Sequence, residues 1–235
     1  MFAKLNHLAI VTDQYALMGK FYQCVFGLEE GEKKANEARA IAIGDGQVGI
    51  NINPTKPGRK LGLDHFGFQV EDVETFFERC RAKYPTVKWQ QRPSNRPFAG
   101  LTSHDPDGNV FDISQRHMTN RTGVYVSDAW EQDRPFSHIS IRTMRPDLMA
   151  EFYTEVFELS PANMEIEEDT HCLTDGNMTL ILTPWDITNY AGTNIVGPGI
   201  DHIGFKVESV EQTIKDIEEI VDGNPSLTPR TIGRG

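Results

Sequence analysis

Four histidines stand out by their placement. His7, His65, His138 and His202 each sit near the start of a short segment of alternating apolar residues. Imidazole is a common metal ligand and titrates close to neutral pH, so strand-borne histidines suit a divalent ion or a proton relay. A single such residue is more simply a hydrogen-bonded wall residue; four in equivalent places need a structural reason. His104, just before Asp105-Pro106-Asp107-Gly108, is a candidate catalytic acid or base, with an edge-strand histidine in water as the plainer reading. Arg142 and Lys206 fall on the histidine face of their segments and could bind an anionic substrate group, although ion pairs with nearby acids are the commoner use of such residues. No glycine-rich phosphate loop, serine elbow or Cys–His dyad is recognisable.

The elements that must position these residues repeat along the chain. His7-Leu8-Ala9-Ile10 recurs as His138-Ile139-Ser140-Ile141, and Met18, Phe21, Tyr22, Val25, Phe26 and Leu28 recur at the same offset as Met149, Phe152, Tyr153, Val156, Phe157 and Leu159. At a slightly larger offset, Asp64, His65, Gly67, Phe68, Val70, Glu71, Val73 and Glu74 recur as Asp201, His202, Gly204, Phe205, Val207, Glu208, Val210 and Glu211. Fixed-period similarity marks a duplicated architecture. The pattern predicts strands over 5–11, 63–70, 136–142 and 200–207, with Leu8/Ile10, Phe66/Phe68, Ile139/Ile141 and Ile203/Phe205 on an apolar face and the histidines on the opposite one. Helices are expected over 13–26, 72–84, 147–157 and 210–220, followed by short strands closed at Asp45-Gly46, Asp105-Pro106-Asp107-Gly108 and Asp175-Gly176.

The unit is therefore βαβββ, present four times, with the fourth copy incomplete at Gly235. The halves are expected at 1–117 and 136–235, joined by a polar linker over 118–135. A chain of 235 residues has room for two such cores without disulfide or metal staples. Its net charge of −11 argues against nucleic acid and anionic membranes as partners, and no apolar run approaches a membrane span. Three scattered cysteines (Cys24, Cys80 and Cys172) argue against a cysteine-based zinc site, and with the absence of a signal-peptide pattern they predict a cytoplasmic protein.

Paired βαβββ units, a histidine on each first strand and the Asp105-to-Asn109 turn before a last strand together resemble the vicinal oxygen chelate superfamily. That group includes glyoxalase I, type I extradiol dioxygenases and bleomycin-binding proteins. The resemblance implies an α+β fold, its four tandem modules pairing into two open, barrel-like mixed sheets with helices outside. It also implies a divalent metal on a concave face, held by two first-strand histidines and a last-strand acid four residues past the turn glycine. That place holds Ile50, Asp112 and Leu180 in the first three modules, so the implied ligands are His7, His65 and Asp112. Fe(II) is the expected ion, with Mn(II) and Zn(II) as alternatives. The second half offers His138 and His202 without an aligned acid.

The four-module layout is closest to the extradiol dioxygenases, which implies ring cleavage of a small catechol-like substrate by O₂. Redox-neutral isomerase or lyase chemistry of the glyoxalase type and non-catalytic small-molecule binding are the rival readings. Two departures from the dioxygenase pattern stand out: Asp112 replaces the usual Glu, and Thr102 lies where a Tyr is usual. Asn51 and Asn53 alternate with Ile50 and Ile52 in the sense opposite to the other strands, which points to a bulge. Trp89, Phe98 and Trp130 are candidates for a substrate mouth. An unfinished sheet edge also predicts pairing into a homo-oligomer.

Overall fold

The computed structural model describes residues 2–30, 40–93, 99–115, 133–164, 169–186 and 197–223. Most of the linker, Phe98, Trp130 and the last twelve positions from 224 to 235 lie outside the described residues.

The first half runs β1 (Ala3–Thr12), α1 (Tyr15–Phe26), β2 (Glu29–Glu30), β3 (Ile41–Gly44), β4 (Gly49–Pro54), β5 (Gly62–Val70), α2 (Val73–Lys83), β6 (Trp89–Gln91), β7 (Leu101–His104) and β8 (Val110–Gln115). All eight strands form one open mixed sheet in the order β2-β3-β4-β1-β5-β8-β7-β6. Its two first strands, β1 and β5, lie antiparallel at the centre, and each is flanked by its own module's last strand in parallel. The second half repeats the plan with β9 (Phe136–Thr143), α3 (Pro146–Phe157), β10 (Ser160–Pro161), β11 (His171–Thr174), β12 (Thr179–Pro184), β13 (Gly199–Phe205) and α4 (Val210–Gly223). Its sheet has the order β10-β11-β12-β9-β13. The fold is thus α+β, built of βαβββ modules. No described helix is long and apolar enough to cross a membrane.

Local chemistry explains where the helices begin and end. Asp72 caps α2 by accepting the Thr75 amide at 2.9 Å, and Arg81 and Lys83 face the negative end of its dipole. Pro146 opens α3, where a missing N–H costs nothing. α1 stops at Gly27, which adopts φ 67° and returns its N–H to Gln23.

The apolar strand faces turn away from the histidines and toward a shared core. Phe66, Phe68 and Phe111 of the first sheet pack against Phe152, Tyr153 and Phe157 of α3, with Phe68 and Phe157 stacked at 3.9 Å. Phe26 and Phe205 stack at 3.8 Å between the halves in the same way. Trp89 stacks on Phe77 at 4.6 Å beneath the Arg81 guanidinium, so it packs against α2.

The turn aspartates join the halves. Asp45 and Asp175 each use Oδ1 to accept two amides of their own turn. Their other oxygens cross over: Asp45 Oδ2 accepts the Phe136 amide at 2.9 Å, and Asp175 Oδ2 accepts the Leu5 amide at 2.6 Å. Asp105 does likewise, taking the Tyr153 hydroxyl at 2.7 Å. All three are buried. Removing such a carboxylate strands several buried donors at once. Asp175→Ala is expected to lower the unfolding free energy by about 2–4 kcal/mol, read as a drop in the urea midpoint at unchanged slope.

Candidate metal centre

β1, β5 and β8 are neighbours, and their register sets out the site. His7 lies opposite Gly67, Gly67 opposite Asp112, and His65 opposite Ala9. His7 and Asp112 therefore flank Gly67 across three strands, with His65 one step along on the same face. One ligand-type atom from each of His7, His65 and Asp112 lies within 4.8 Å of the others. The Asp112 Oδ2 is 3.3 Å from His65 Nε2 and 3.9 Å from His7 Nε2. All three are buried, at 2%, 7% and 3% exposure. Ligands bonded to one ion at about 2.1 Å stand roughly 3–3.5 Å apart, so small side-chain rotations suffice to close on a cation. Among the described residues this is the one cluster of three or more such side chains that meets that spacing.

Gly67 makes the centre open. A Cβ there would lie 2.0 Å from His7 Cε1 and 2.4 Å from Nδ1, so the imidazole can lie over this strand only if the residue is glycine. The identity of Gly67 and Gly204 in the repeat is the signal that could have revealed this contact.

A second device sets the imidazoles' orientation. The pairing of β1 with β5 slips by one residue at Asn6 and again at Asp64, each immediately before a histidine. Such a bulge brings an extra side chain beside its successor. Asn6 Oδ1 lies 2.9 Å from His7 Nδ1, and Asp64 Oδ2 lies 2.7 Å from His65 Nδ1. With Nδ1–H donated outward, each ring presents Nε2 toward the centre, the arrangement that orients metal-ligating histidines. Arg59 in turn holds Asp64, at 2.6 Å.

The electrostatics favour an anionic carboxylate facing positive charge. Burial pushes Asp112 upward, yet the His65 hydrogen bond and the charges of His65 and His7 outweigh it and bring its pKa to about 2. Burial also opposes protonation of His65, but Asp112 and Asp64 together hold its pKa above the ordinary value. Asp64 is drawn well below the usual carboxylate range by His65 and Arg59 against a smaller cost of burial. A divalent cation would satisfy the anionic carboxylate while taking the place of a proton on His65. The donor set, two imidazoles and one carboxylate on one wall, fits Fe(II), Mn(II) or Zn(II).

The short Asp112 is fixed from the side opposite the histidines. Thr102, its partner across the β7–β8 pair, donates a short hydroxyl hydrogen bond to Asp112 Oδ1. Arg92 Nε donates to the Thr102 hydroxyl at 2.5 Å. Thr102 thus anchors the acid with one oxygen and leaves Oδ2 for the centre.

The structure corrects the alignment of last strands. Asp45 closes its turn on Val48, and Asp175 on Met178, whereas Asp105 closes on Asn109, one residue further. The place equivalent to Asp112 is therefore Asn51 in the first module, opposite Ala9, and Ile181 in the third, opposite Ser140. Pairing of β4 with β1 is unbroken, so turn length, not a bulge, accounts for the alternation at Asn51 and Asn53.

The other candidates lie apart from the triad. His104 Nδ1 faces the Asp105 carbonyl at 2.8 Å and its Nε2 accepts the Lys88 amide at 3.0 Å, so both ring nitrogens are engaged by the backbone of its hairpin. Arg142 pairs with Asp201 at 3.3 Å, and Lys206 is exposed beyond the end of β13. His138 and His202 meet edge to face in the second half.

Residues 4–113 match the model of the glyoxalase/bleomycin resistance protein/dioxygenase superfamily. That match covers 110 of the 235 residues and takes in all three residues of the candidate centre. Across 159 residues, 61% of its length, the chain is 31% identical to a manganese-dependent 2,3-dihydroxybiphenyl 1,2-dioxygenase of Geobacillus genomosp. 3. The match spans half of that relative's length. Solved structures of similar fold include a Mn(II)-bound glyoxalase from Novosphingobium aromaticivorans (TM-score 0.66, 15% identity, covering 95% of this chain and 71% of that one). Another is 2,2',3-trihydroxybiphenyl 1,2-dioxygenase from Sphingomonas wittichii (TM-score 0.66, 16% identity, covering 95% and 80%). At such identities these likenesses speak for the fold.

Two substitutions test the geometry. Gly67→Ala is expected to abolish metal binding by forcing the His7 ring aside. Thr102→Val, which removes only the anchor of Asp112, is expected to weaken it about 10–100-fold. Equilibrium dialysis followed by elemental analysis measures both.

Proposed function

We propose that the chain is a divalent-metal-dependent dioxygenase of the extradiol type, acting on a catechol-like aromatic. The observation that carries this reading is the convergence of His7, His65 and Asp112 at a glycine-floored centre. The relative named as a manganese-dependent 2,3-dihydroxybiphenyl 1,2-dioxygenase supports both the metal class and the substrate class. Mn(II) and Fe(II) both match the donor set.

Three protein ligands on one wall leave the opposite side of an ion for substrate. When bound, such an ion supplies Lewis acidity toward two adjacent oxygens and a redox route to O₂. The chain's own residues provide the rest. His7 and His65, held through Nδ1 by Asn6 and Asp64, stay fixed while a substrate exchanges. Asp112, pinned by Thr102, keeps one anionic oxygen facing the centre. Burial of all three excludes bulk water from the ligand wall.

Oxygen uptake with 2,3-dihydroxybiphenyl after anaerobic loading with Mn(II) or Fe(II) tests the reading. One O₂ consumed per catechol, lost in Asp112→Ala, is expected; no uptake by fully loaded protein with any catechol would sink it. Stability offers an independent readout. Mn(II) at about a hundred times its Kd should add about 2.7 kcal/mol to the unfolding free energy. A chelator should reverse that gain, and Asp112→Ala should not show it.

A further inference from the structure

We infer that Arg92 selects the substrate of the metal centre by binding a carboxylate carried on the aromatic ring; the inference rests on the dioxygenase reading. Arg92 belongs to the metal face of the first sheet. Thr102 is paired with Asp112 on one side and with Gln90 on the other. Residues two apart on a strand share a face, and Arg92 follows Gln90 by two. The ladder still holds there, since the Arg92 amide donates to the Gly100 carbonyl at 2.9 Å. From this position the half-buried side chain reaches back through Nε to the Thr102 hydroxyl, at 2.5 Å. Thr102 in turn donates to Asp112. Two hydrogen bonds thus separate the guanidinium from the Asp112 carboxylate, a span of about 5–6 Å. One aromatic ring with its substituents bridges such a gap.

What Arg92 leaves unused decides its role. Orienting a threonine hydroxyl takes one donor, and Nε supplies it. The two Nη groups complete the planar fork that suits a carboxylate, and they have no hydrogen-bond or ionic partner among the described residues. Carboxylates are plentiful in this chain, with 34 acidic residues against 23 basic ones. Arg59, Arg79, Arg134, Arg142 and Arg145 each hold one. Arg92 instead stands beside Asp112, whose oxygens are already directed to Thr102 and to the histidines. Such a guanidinium on the wall of a metal site is a positive charge that a catechol without an acid group leaves unbalanced. A ring that also carries a carboxylate balances it, and the fork favours that planar group over a compact anion.

Titration calorimetry under nitrogen with the Zn(II)-loaded chain tests this without turnover. The probes are 3,4-dihydroxybenzoate and 3-(3,4-dihydroxyphenyl)propanoate, each beside its methyl ester, which keeps the catechol and loses the anion. At least one acid is expected to bind about 10-fold more tightly than its ester. In Arg92→Gln, its metal content checked by elemental analysis, acid and ester should bind alike. Arg92→Lys, a charge without the fork, should restore part of the preference. Thr102→Val removes the contact that Nε makes and lowers metal loading, yet the ratio of acid to ester affinity should survive in the loaded fraction. An arginine that only oriented Thr102 would give no such ratio. Equal binding of acids and esters to the unaltered chain, or a preference that persists in loaded Arg92→Gln, would overturn the inference and leave the dioxygenase reading standing. A loaded chain that binds neither acids nor esters would overturn the dioxygenase reading and the inference with it.

Discussion

An imidazole becomes a useful ligand only when its other nitrogen is tied down, and this protein ties it down from the neighbouring residue in the chain. In a regular strand, successive side chains point to opposite faces, so residue i−1 cannot reach the ring of residue i. The bulges at Asn6, Asp64, Ser137 and Asp201 remove that obstacle, and each supplies a polar atom to the Nδ1 of the next histidine. The glycines complete the arrangement, because the Nδ1 contact swings the first ring of each pair over the adjacent strand, where only Gly67 or Gly204 leaves room. Histidine, polar predecessor and facing glycine are thus one unit, and the sheet's irregularity is what makes the site regular.

That unit depends on stiffness supplied from elsewhere. Bulges weaken a ladder locally, and here they fall between the two first strands of each half. The compensation is a core shared by both halves, with α3 packed on the apolar face of the first sheet through Phe152, Tyr153 and Phe157. The turn aspartates bind the ends of β1 and β9 reciprocally, Asp175 to Leu5 and Asp45 to Phe136. Each clamp lies close to a bulged histidine, since Leu5 precedes Asn6 and Phe136 precedes Ser137. The halves therefore brace each other at the points where each sheet is irregular.

Much of this was legible in the sequence because it rests on periodicity and identity. The first-strand histidines, the βαβββ order, the helices and the turn positions follow from alternation, heptad-like spacing and Asp-Gly signals. The register of the last strands was not legible, because counting from the turn glycine assumes equal turns, and Asp105 closes one residue further on than Asp45 or Asp175. That single residue moves the compared position from Ile50 to Asn51 and from Leu180 to Ile181. The bulges escaped for a related reason: they are slips between strands distant in sequence and leave no mark on either strand alone. His104 shows the limit of residue type as a guide, since its ring nitrogens are engaged by backbone groups at Lys88 and Asp105. Thr102 was visible only as the absence of an expected Tyr, whereas its position opposite Asp112 gives it a role suited to a shorter acid.

The two halves set the same pair of first-strand histidines in different surroundings. In the first, the paired imidazoles are buried beside Asp112, and Ala9 adds no polar group to that face. In the second, Ile181 occupies the place of Asn51, Ser140 replaces Ala9, and the His202 ring opens to water. None of these changes disturbs the bulges or the glycine beneath the first ring. What differs among the described residues is the solvation around the pair, since the His65 side chain is 9% exposed and that of His202 is 40% exposed. The scaffold thus keeps its histidine, bulge and glycine unit intact while the residues around the pair vary.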